Sequence, residues 1–441
     1  MKQIAIIYVL VNSLLDAESN SRTHTKRQLK KLARLIKDLG FRVPILIDKH
    51  GRIIAGHARV AAARLLGLTE VPAVVVDDLS PEQIQLLAIA ENRLSELGGW
   101  DDEVLAAQFQ GIESLNLGCD LTLSGFDTAK IDILFSLHAD EAAAEPMVPA
   151  RMSSRDRPSV SRRGDLWRIG RHRLACNDAR DTRAYEQVLD GERAQMGFAD
   201  APYNLKINGL VSGNGSISHP EFEMASGEMG PPQFTAFLRE INELLACHSI
   251  DGAILFICMD HRHMRELHEA AEGIFEYKNT CVWVKRQGGM GSLYRSQHEF
   301  VGVFKSGTAP HINNIELGRH GRNRTNVWRY AGANSFGKGR DAALEGHPTT
   351  KPVAMVADAI LDCSNRGGLI LDPFVGSGTT LLAAEQTGRR GAGIELDPYY
   401  VDLAAERLGL LAKAPIIHTE TGLSFDEMRV VRAREVQERG Q

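Results

Sequence analysis

The sequence contains no uninterrupted apolar run of the roughly 18 to 20 residues that a membrane-crossing helix requires. The nearest approach, IAIIYVLV at residues 4–11, is followed at once by Asn12, Asp16 and Glu18 and has no small-residue cleavage site. It therefore reads as a buried β-strand and not as a targeting signal. Cysteine is sparse: six in 441 residues, with no pair at C-x-x-C spacing, which excludes a disulfide-stapled scaffold and points to reduced thiols in a cytoplasm. Neither sign of charge dominates. Fifty-one Lys and Arg against 56 Asp and Glu leave −5, too little for a polycation that coats nucleic acid by bulk charge. With 43% hydrophobic residues the chain is too apolar for disorder, and its length implies two or three domains.

Composition divides it. Residues 138–163 (HADEAAAEPMVPARMSSRDRPSVSRR) hold three prolines and no apolar periodicity, as a linker does. The expected organisation is α/β throughout: a small α/β domain over 1–137, the linker, a larger domain over 164–412, and a charged tail over 413–441 forming at most a short exposed helix. In the first domain, Leu29, Leu32, Leu35, Ile36 and Leu39 share a helical face that Gly40 ends. The strands PILID and RIIAG follow, then a helix Val60–Leu66, the strand VPAVVVDD, and a helix from Pro81 to Glu96. The loop Gly56–Arg59 (GHAR) joins a strand end to a helix start, where free N–H groups and the helix dipole favour a phosphate.

The series NSRTH, PILID, GRIIAGHAR, AAARLLG, VPAVVVDDLS and AENR resembles the ParB-like N-terminal domain over residues 5–135. In partition proteins of that family the matching boxes bind a cytidine nucleotide and contact DNA. The resemblance thus implies a nucleotide partner at Gly56, His57, Arg59, Asn92 and Arg93. GHAR lacks the usual acidic residue and second arginine, which counts against cytidine triphosphate hydrolysis.

The most specific motif lies in the second domain. GLILDPFVGSGTT at 368–380 is an apolar strand ending in Asp372, a loop carrying Phe374, Gly376 and Gly378, and a helix from Thr379; GAGIELDP follows as a strand tipped by Glu395. This is half of a doubly wound sheet whose ligand lies across the strand ends. A nicotinamide fingerprint is the alternative, but its third glycine would fall at Leu381, and Asp372 would repel a pyrophosphate while attracting an amino group. S-adenosylmethionine, a nucleoside bearing an ammonium and a sulfonium, suits these residues better, with Glu395 placed for the ribose hydroxyls.

A second motif, FADAPYN at 198–204, groups a carboxylate, a directed carbonyl and an aromatic ring. An exocyclic amine of a base is a poor nucleophile because its lone pair is delocalised. Hydrogen bonds from its N–H groups to Asp200 and to the Ala201 carbonyl would localise and aim that pair. Pro202 biases Ala201 toward an extended conformation, and Tyr203 can stack on an extruded base. Alone, DxPY reads as a capped turn. Together the two motifs resemble the β-class DNA amino-methyltransferases over residues 164–410, with GDLWRIGRHRLACND, GGMGSLYRSQHE and HPTTKP as further matches.

That resemblance implies a Rossmann-like doubly wound domain and Asp200, Ala201, Pro202 and Tyr203 as the catalytic box. It places Asp178 at the cofactor's adenine and Lys351 of His347–Pro352 near its methionine end, beside Asp372, Phe374, Gly376, Gly378, Thr379 and Glu395. The box reads DAPY where the family has DPPY, and NDA replaces GDS near Asp178. Aspartate at position 200 is the family's usual sign of adenine N6 over cytosine N4.

Residues 285–330 carry eight Lys or Arg against two Glu, a net +6 that leaves −11 elsewhere. Lys285, Arg286, Arg295, Arg319, Arg322 and Arg324, interleaved with aromatics, are expected to contact the phosphates of double-stranded DNA. Cys258, His261, His263 and His268 match no common zinc spacing, so no metal is expected. A second copy of the chain is the remaining partner considered. The rival functions are a DNA-binding partition adaptor with a decayed methyltransferase, and methylation of RNA or a protein amide.

Overall fold

The computed structural model of the chain describes residues 4–17, 22–115, 119–136, 158–204, 227–286, 288, 294–318, 323–331 and 351–439. It divides into two compact units, Met1–Ala139 and Asp140–Gln441.

The first unit runs β1 (Ile6–Leu10), α1 (Lys26–Leu39), β2 (Ile45–Asp48), β3 (Ile53–Ala55), α2 (His57–Leu66), β4 (Glu70–Val76), α3 (Pro81–Leu97), α4 (Asp102–Ser114) and α5 (Thr128–Ser136). Its sheet has the order β1-β4-β2-β3. The expected buried strand at the start is instead an edge strand. Among the described residues it pairs with β4 alone, and Ile6 and Tyr8 are 60% and 70% exposed. Helix α2 begins three residues before Val60, because Gly56 at φ 101° ends β3 and opens the helix in one step. A side chain could not replace that glycine cheaply: a Cβ there would lie 2.8 Å from Ile45 Cγ2. Ile45, Ile47, Ile53, Val60, Val71 and Ala73 form the core behind this turn.

The second unit comprises β5 (Leu166–Ile169), β6 (His172–Cys176), α6 (Thr182–Leu189), β7 (Ala194–Ala199), α7 (Pro231–His248), β8 (Ser249–Met259) and α8 (Met264–Ala271). It continues with β9 (Phe275–Val284), β10 (His298–Ser306), β11 (Val327–Arg329), α9 (Val353–Cys363), β12 (Leu369–Asp372), α10 (Thr379–Gln386), β13 (Arg390–Glu395), α11 (Pro398–Ala412), β14 (Ile416–His418) and α12 (Phe425–Arg439). These strands form one sheet, β11-β9-β10-β8-β7-β12-β13-β6-β5-β14. The five central strands from β8 to β6 are parallel, and buried residues cover both faces in two clusters. This is a Rossmann-like doubly wound sheet. The late strand β12 inserts beside β7, so the two motif loops, about 170 residues apart in sequence, leave neighbouring strand ends.

Two boundaries differ from the sequence expectation. The C-terminal end of the expected linker is built into the second unit: Val160 is buried, and the N–H groups of Val160 and Ser161 donate to Asp402 at 2.6 and 2.9 Å. The tail is structural as well, since β14 extends the sheet and α12 buries Phe425, Met428 and Arg432. The third residue of that helical stripe is an arginine, which a hydrophobic pattern misses. It is buried because Arg432 forms a forked pair with Asp165, Nη2 to Oδ1 at 2.8 Å and Nη1 to Oδ2.

Candidate active site

Asp200 follows β7 and is locked into a charge quartet. Lys351 Nζ donates to both its oxygens, at 2.8 and 2.7 Å, and reaches Glu299 Oε2 at 3.1 Å. Lys285 donates to the other oxygen of Glu299. The Tyr203 hydroxyl lies 3.0 Å from Asp200 Oδ1 and 3.1 Å from Glu299 Oε2. The ammonium of Lys351 also sits 5.3 Å from the Tyr203 ring centroid and 5.9 Å from that of Trp283.

Burial pushes the Asp200 carboxyl up, with Lys351 offsetting only part and Glu299 adding to it. Burial works the same way on Glu299, but its two lysines win and hold it down at about 2. Burial disfavours the Lys351 charge, yet the two carboxylates outweigh it and keep the ammonium above its ordinary range.

The second motif forms the adjoining half. Asp372, buried at the end of β12, accepts the Phe374 N–H at 2.8 Å. Glu395, at the tip of β13, accepts from Gly376 N and Asp397 N at 2.8 and 2.9 Å, so it fastens the glycine loop from below. Burial raises both carboxyls to about 7; the Thr380 side chain and the Phe374 N–H at Asp372, and backbone donors at Glu395, compensate only in part. Thr379 Oγ1 approaches the Lys351 carbonyl at 3.5 Å, joining this half to the quartet. Gly376 and Gly378 both have positive φ. At Gly378 packing also excludes a side chain, since a Cβ would lie 3.0 Å from that of Ala404 on α11.

Asp178 stands in the loop after β6, beside the tip of β13, where the preceding Asn177 N–H donates to the Glu395 carbonyl at 2.9 Å; its own carboxylate is engaged by Arg180, Nη2 to Oδ2 at 2.7 Å. The basic stretch is not one phosphate-facing surface. Lys285 belongs to the quartet, and Lys305 is buried and paired with Glu276 at 2.8 Å. Arg324 turns inward between Asp358 (2.7 Å) and Asp362 (3.0 Å) on α9, under the Tyr330 hydroxyl. Its expected DNA role is thus replaced by holding 323–331 against that helix. Arg286 and Arg295 are exposed, and Arg319, Arg322 and His347–Thr350 lie outside the described residues.

In the first unit, Arg59 Nη1 donates to the carbonyls of Pro44 (2.5 Å) and Val43 (3.3 Å), Asn92 Oδ1 accepts from Arg22, and Arg93 pairs with Glu96. The histidines of 258–268 are used locally: His263 bonds Asp260, and His268 packs on Tyr277 and Phe304.

Sequence reasoning missed two residues. Glu299 is one of only two acids inside the basic stretch, a sign reversal that could have marked it. Asn204, at φ 54°, accepts from Gly227 N and Met229 N and donates to the Met229 carbonyl, tying the residues on both sides of 205–226.

The ends of the neighbouring parallel strands β7, β12 and β13 thus bring Asp200, Asp372 and Glu395 to one edge of a doubly wound sheet, the edge at which such folds bind ligands. The model of the DNA methylase family matches residues 194–406, and that of the ParB N-terminal domain matches residues 2–93. The chain carries a DNA methylase domain over residues 194–406 and a ParB N-terminal domain ahead of it.

It is 27% identical to the type II methyltransferase M.HpaI of Haemophilus parainfluenzae, over 54% of this chain and 74% of that one. It is 40% identical to the ParB-like nuclease domain-containing protein YnaK of Escherichia coli K12, over 19% of this chain and 97% of that one. Among solved structures, the M1.HpyAVI–SAM complex is 20% identical with a TM-score of 0.40, covering 53% of this chain and 98% of that one. Among the described residues no helix is long and apolar enough to cross a membrane.

Proposed function

We propose that the second unit methylates the exocyclic amine of a DNA base, N6 of adenine, with S-adenosylmethionine as donor. The observation that carries the reading is the placement of Asp200 and Asp372 at the C-terminal ends of the adjacent parallel strands β7 and β12. The donor set fits the cofactor. Asp372 offers a carboxylate to an ammonium, Glu395 one to vicinal hydroxyls, and Phe374 an aromatic wall between them. When bound, the cofactor supplies a methyl group on a sulfonium.

The chain's own residues prepare the acceptor. Asp200 takes an amine hydrogen and balances positive charge as the nitrogen becomes tetrahedral, Ala201 offers its carbonyl to the other hydrogen, and Tyr203 gives the base a face. Asp200 then receives the proton that the methylated nitrogen gives up.

Aspartate at position 200 favours adenine, following the resemblance; cytosine N4 shares the same chemistry. Methylating DNA with the purified chain and digesting it to nucleosides tests both levels. N6-methyladenine is expected; N4-methylcytosine alone overturns the base assignment, and no methylated base overturns the reading. Asp200→Ala should abolish turnover and leave cofactor affinity within a few fold.

For the first unit, targeting is the proposed role. A nucleotide at Gly56–Arg59 is supported by the α2 N-terminus, which has no side-chain cap, and by the buried His57 Nε2, which has no partner among the described residues. The inward Arg59 counts against it, and direct binding of cytidine triphosphate would decide. Self-association is supported by α3, where Leu86, Ile89, Leu94 and Leu97 are exposed, and sedimentation would measure it.

A further inference from the structure

Within the quartet, two carboxylates face two ammoniums and a single tyrosine proton. The described charged groups around Asp200 are Lys351, Glu299 and, through Glu299, Lys285; Tyr203, Cys258 of β8 and Asp372 of β12 also face it. A carboxylate has about four acceptor positions. Lys351 takes one on each oxygen of Asp200, and Tyr203 contacts a third position on Oδ1. The Tyr203 hydroxyl has one hydrogen and two acceptors at nearly equal distance, 3.0 and 3.1 Å. Whatever Glu299 draws from Lys351 and Tyr203 is therefore withdrawn from Asp200.

Glu299 is well placed to do this. It stands on β10 opposite Trp283 of β9, its side chain is only 14% exposed, and Lys285 fixes it from the far side. Without its charge, Asp200 would hold the Lys351 ammonium alone and become a tighter ion-pair partner, hence a poorer acceptor for an incoming amine.

We propose that Glu299 is a positioning residue for methyl transfer: by sharing the Lys351 ammonium and the Tyr203 hydroxyl, it keeps Asp200 able to accept the hydrogens of the target amine and holds the Tyr203 ring in place. This rests on the reading of Asp200 as that acceptor.

The test is single-turnover methylation of duplex DNA by the full chain across pH, with S-adenosylmethionine affinity measured in parallel. Glu299→Gln should lower the rate constant about 10²-fold while leaving cofactor affinity within a few fold. Its acidic limb should move to lower pH by about one unit, because Asp200 then ionises against an unshared ammonium. Glu299→Asp should restore part of the rate. Lys285→Met should move the limb the opposite way, since an unneutralised Glu299 competes harder for Lys351, and it gives a second reading should Glu299→Gln fail to fold.

A counter-ion that merely holds the fold would lower the rate without moving the limb, and that result, or an unchanged rate in Glu299→Gln, overturns the proposal. Asp200→Asn separates the two levels. If it still methylates, the reading of Asp200 has failed; if it is inactive while Glu299→Gln keeps the wild-type rate and limb, only the role of Glu299 has failed.

Discussion

The two raised carboxyls make cofactor binding a pH measurement. Asp372 and Glu395 are each raised to about 7 because burial disfavours their charge more than their hydrogen-bond donors, the Thr380 side chain among those of Asp372, favour it. An ammonium bound at Asp372 requires the anion, so binding must expel whatever proton is there. At pH 6 a group with that midpoint is about nine-tenths protonated and at pH 8 about one-tenth, so affinity should rise about tenfold, or about 1.4 kcal/mol, across that range. If Glu395 must also ionise to accept the ribose hydroxyls, the two together give about 100-fold.

Calorimetric titration at pH 6, 7 and 8 in buffers of different ionisation enthalpy reads both the affinity and the protons released, about one in total at pH 7 if both groups take part. Asp372→Asn should remove one group's share of the slope. The sign for stability is opposite: acids raised by folding contribute stability fully present below their ordinary range near 4 and lost as pH rises through 7. Protection of the second unit by cofactor should therefore grow between pH 6 and 8. An affinity flat across this range, with identical heats in the different buffers, would refute the assignment of Asp372 to a cationic group.

Arg432→Met keeps the packing stem but strands Asp165, whose side chain is only 10% exposed. Loss of about 3 kcal/mol is expected in urea unfolding at pH 8, holding to pH 5 and narrowing only below about pH 4. Burial pulls the Asp165 carboxyl up, but the Arg432 and Arg162 donors hold it below its ordinary range, a contribution present above that range and lost in acid. Arg324→Ala should also cost about 3 kcal/mol by leaving the buried Asp362 short of its ion partner, yet leave the salt dependence of DNA binding unchanged, since Arg324 faces α9 and not solvent; a flattened slope would return it to the DNA surface. A chain of residues 158–441, which retains the Val160 and Ser161 contacts to Asp402, should methylate DNA alone, and a folded but inactive fragment would show that the first unit completes the site.

Local chemistry was legible in the sequence wherever a short segment carried its own instructions. Gly56, Gly376 and Gly378 mark turns that need positive φ, β-branched runs mark strands, and GLILDPFVGSGTT and FADAPYN each concentrate their polar groups at one strand end. Both family relationships follow from those segments. What the sequence could not order was pairing across distance. Only the insertion of β12 between β7 and β13 makes neighbours of Asp200 and Asp372; only the register of β10 against β9 puts Glu299 beside Lys285, and only the pairing of β10 with β8 and of β8 with β7 brings it to Tyr203.

Charge was the property read least well along the chain, because a run of arginines and lysines has the same composition whether it faces solvent or acids of the same unit. Lys285, Lys305 and Arg324 face acids, as does Arg432 in a helix whose stripe ends on a buried ion pair. The favourable energy of those pairs depends on distance and burial, and both exist only once the sheet has been assembled.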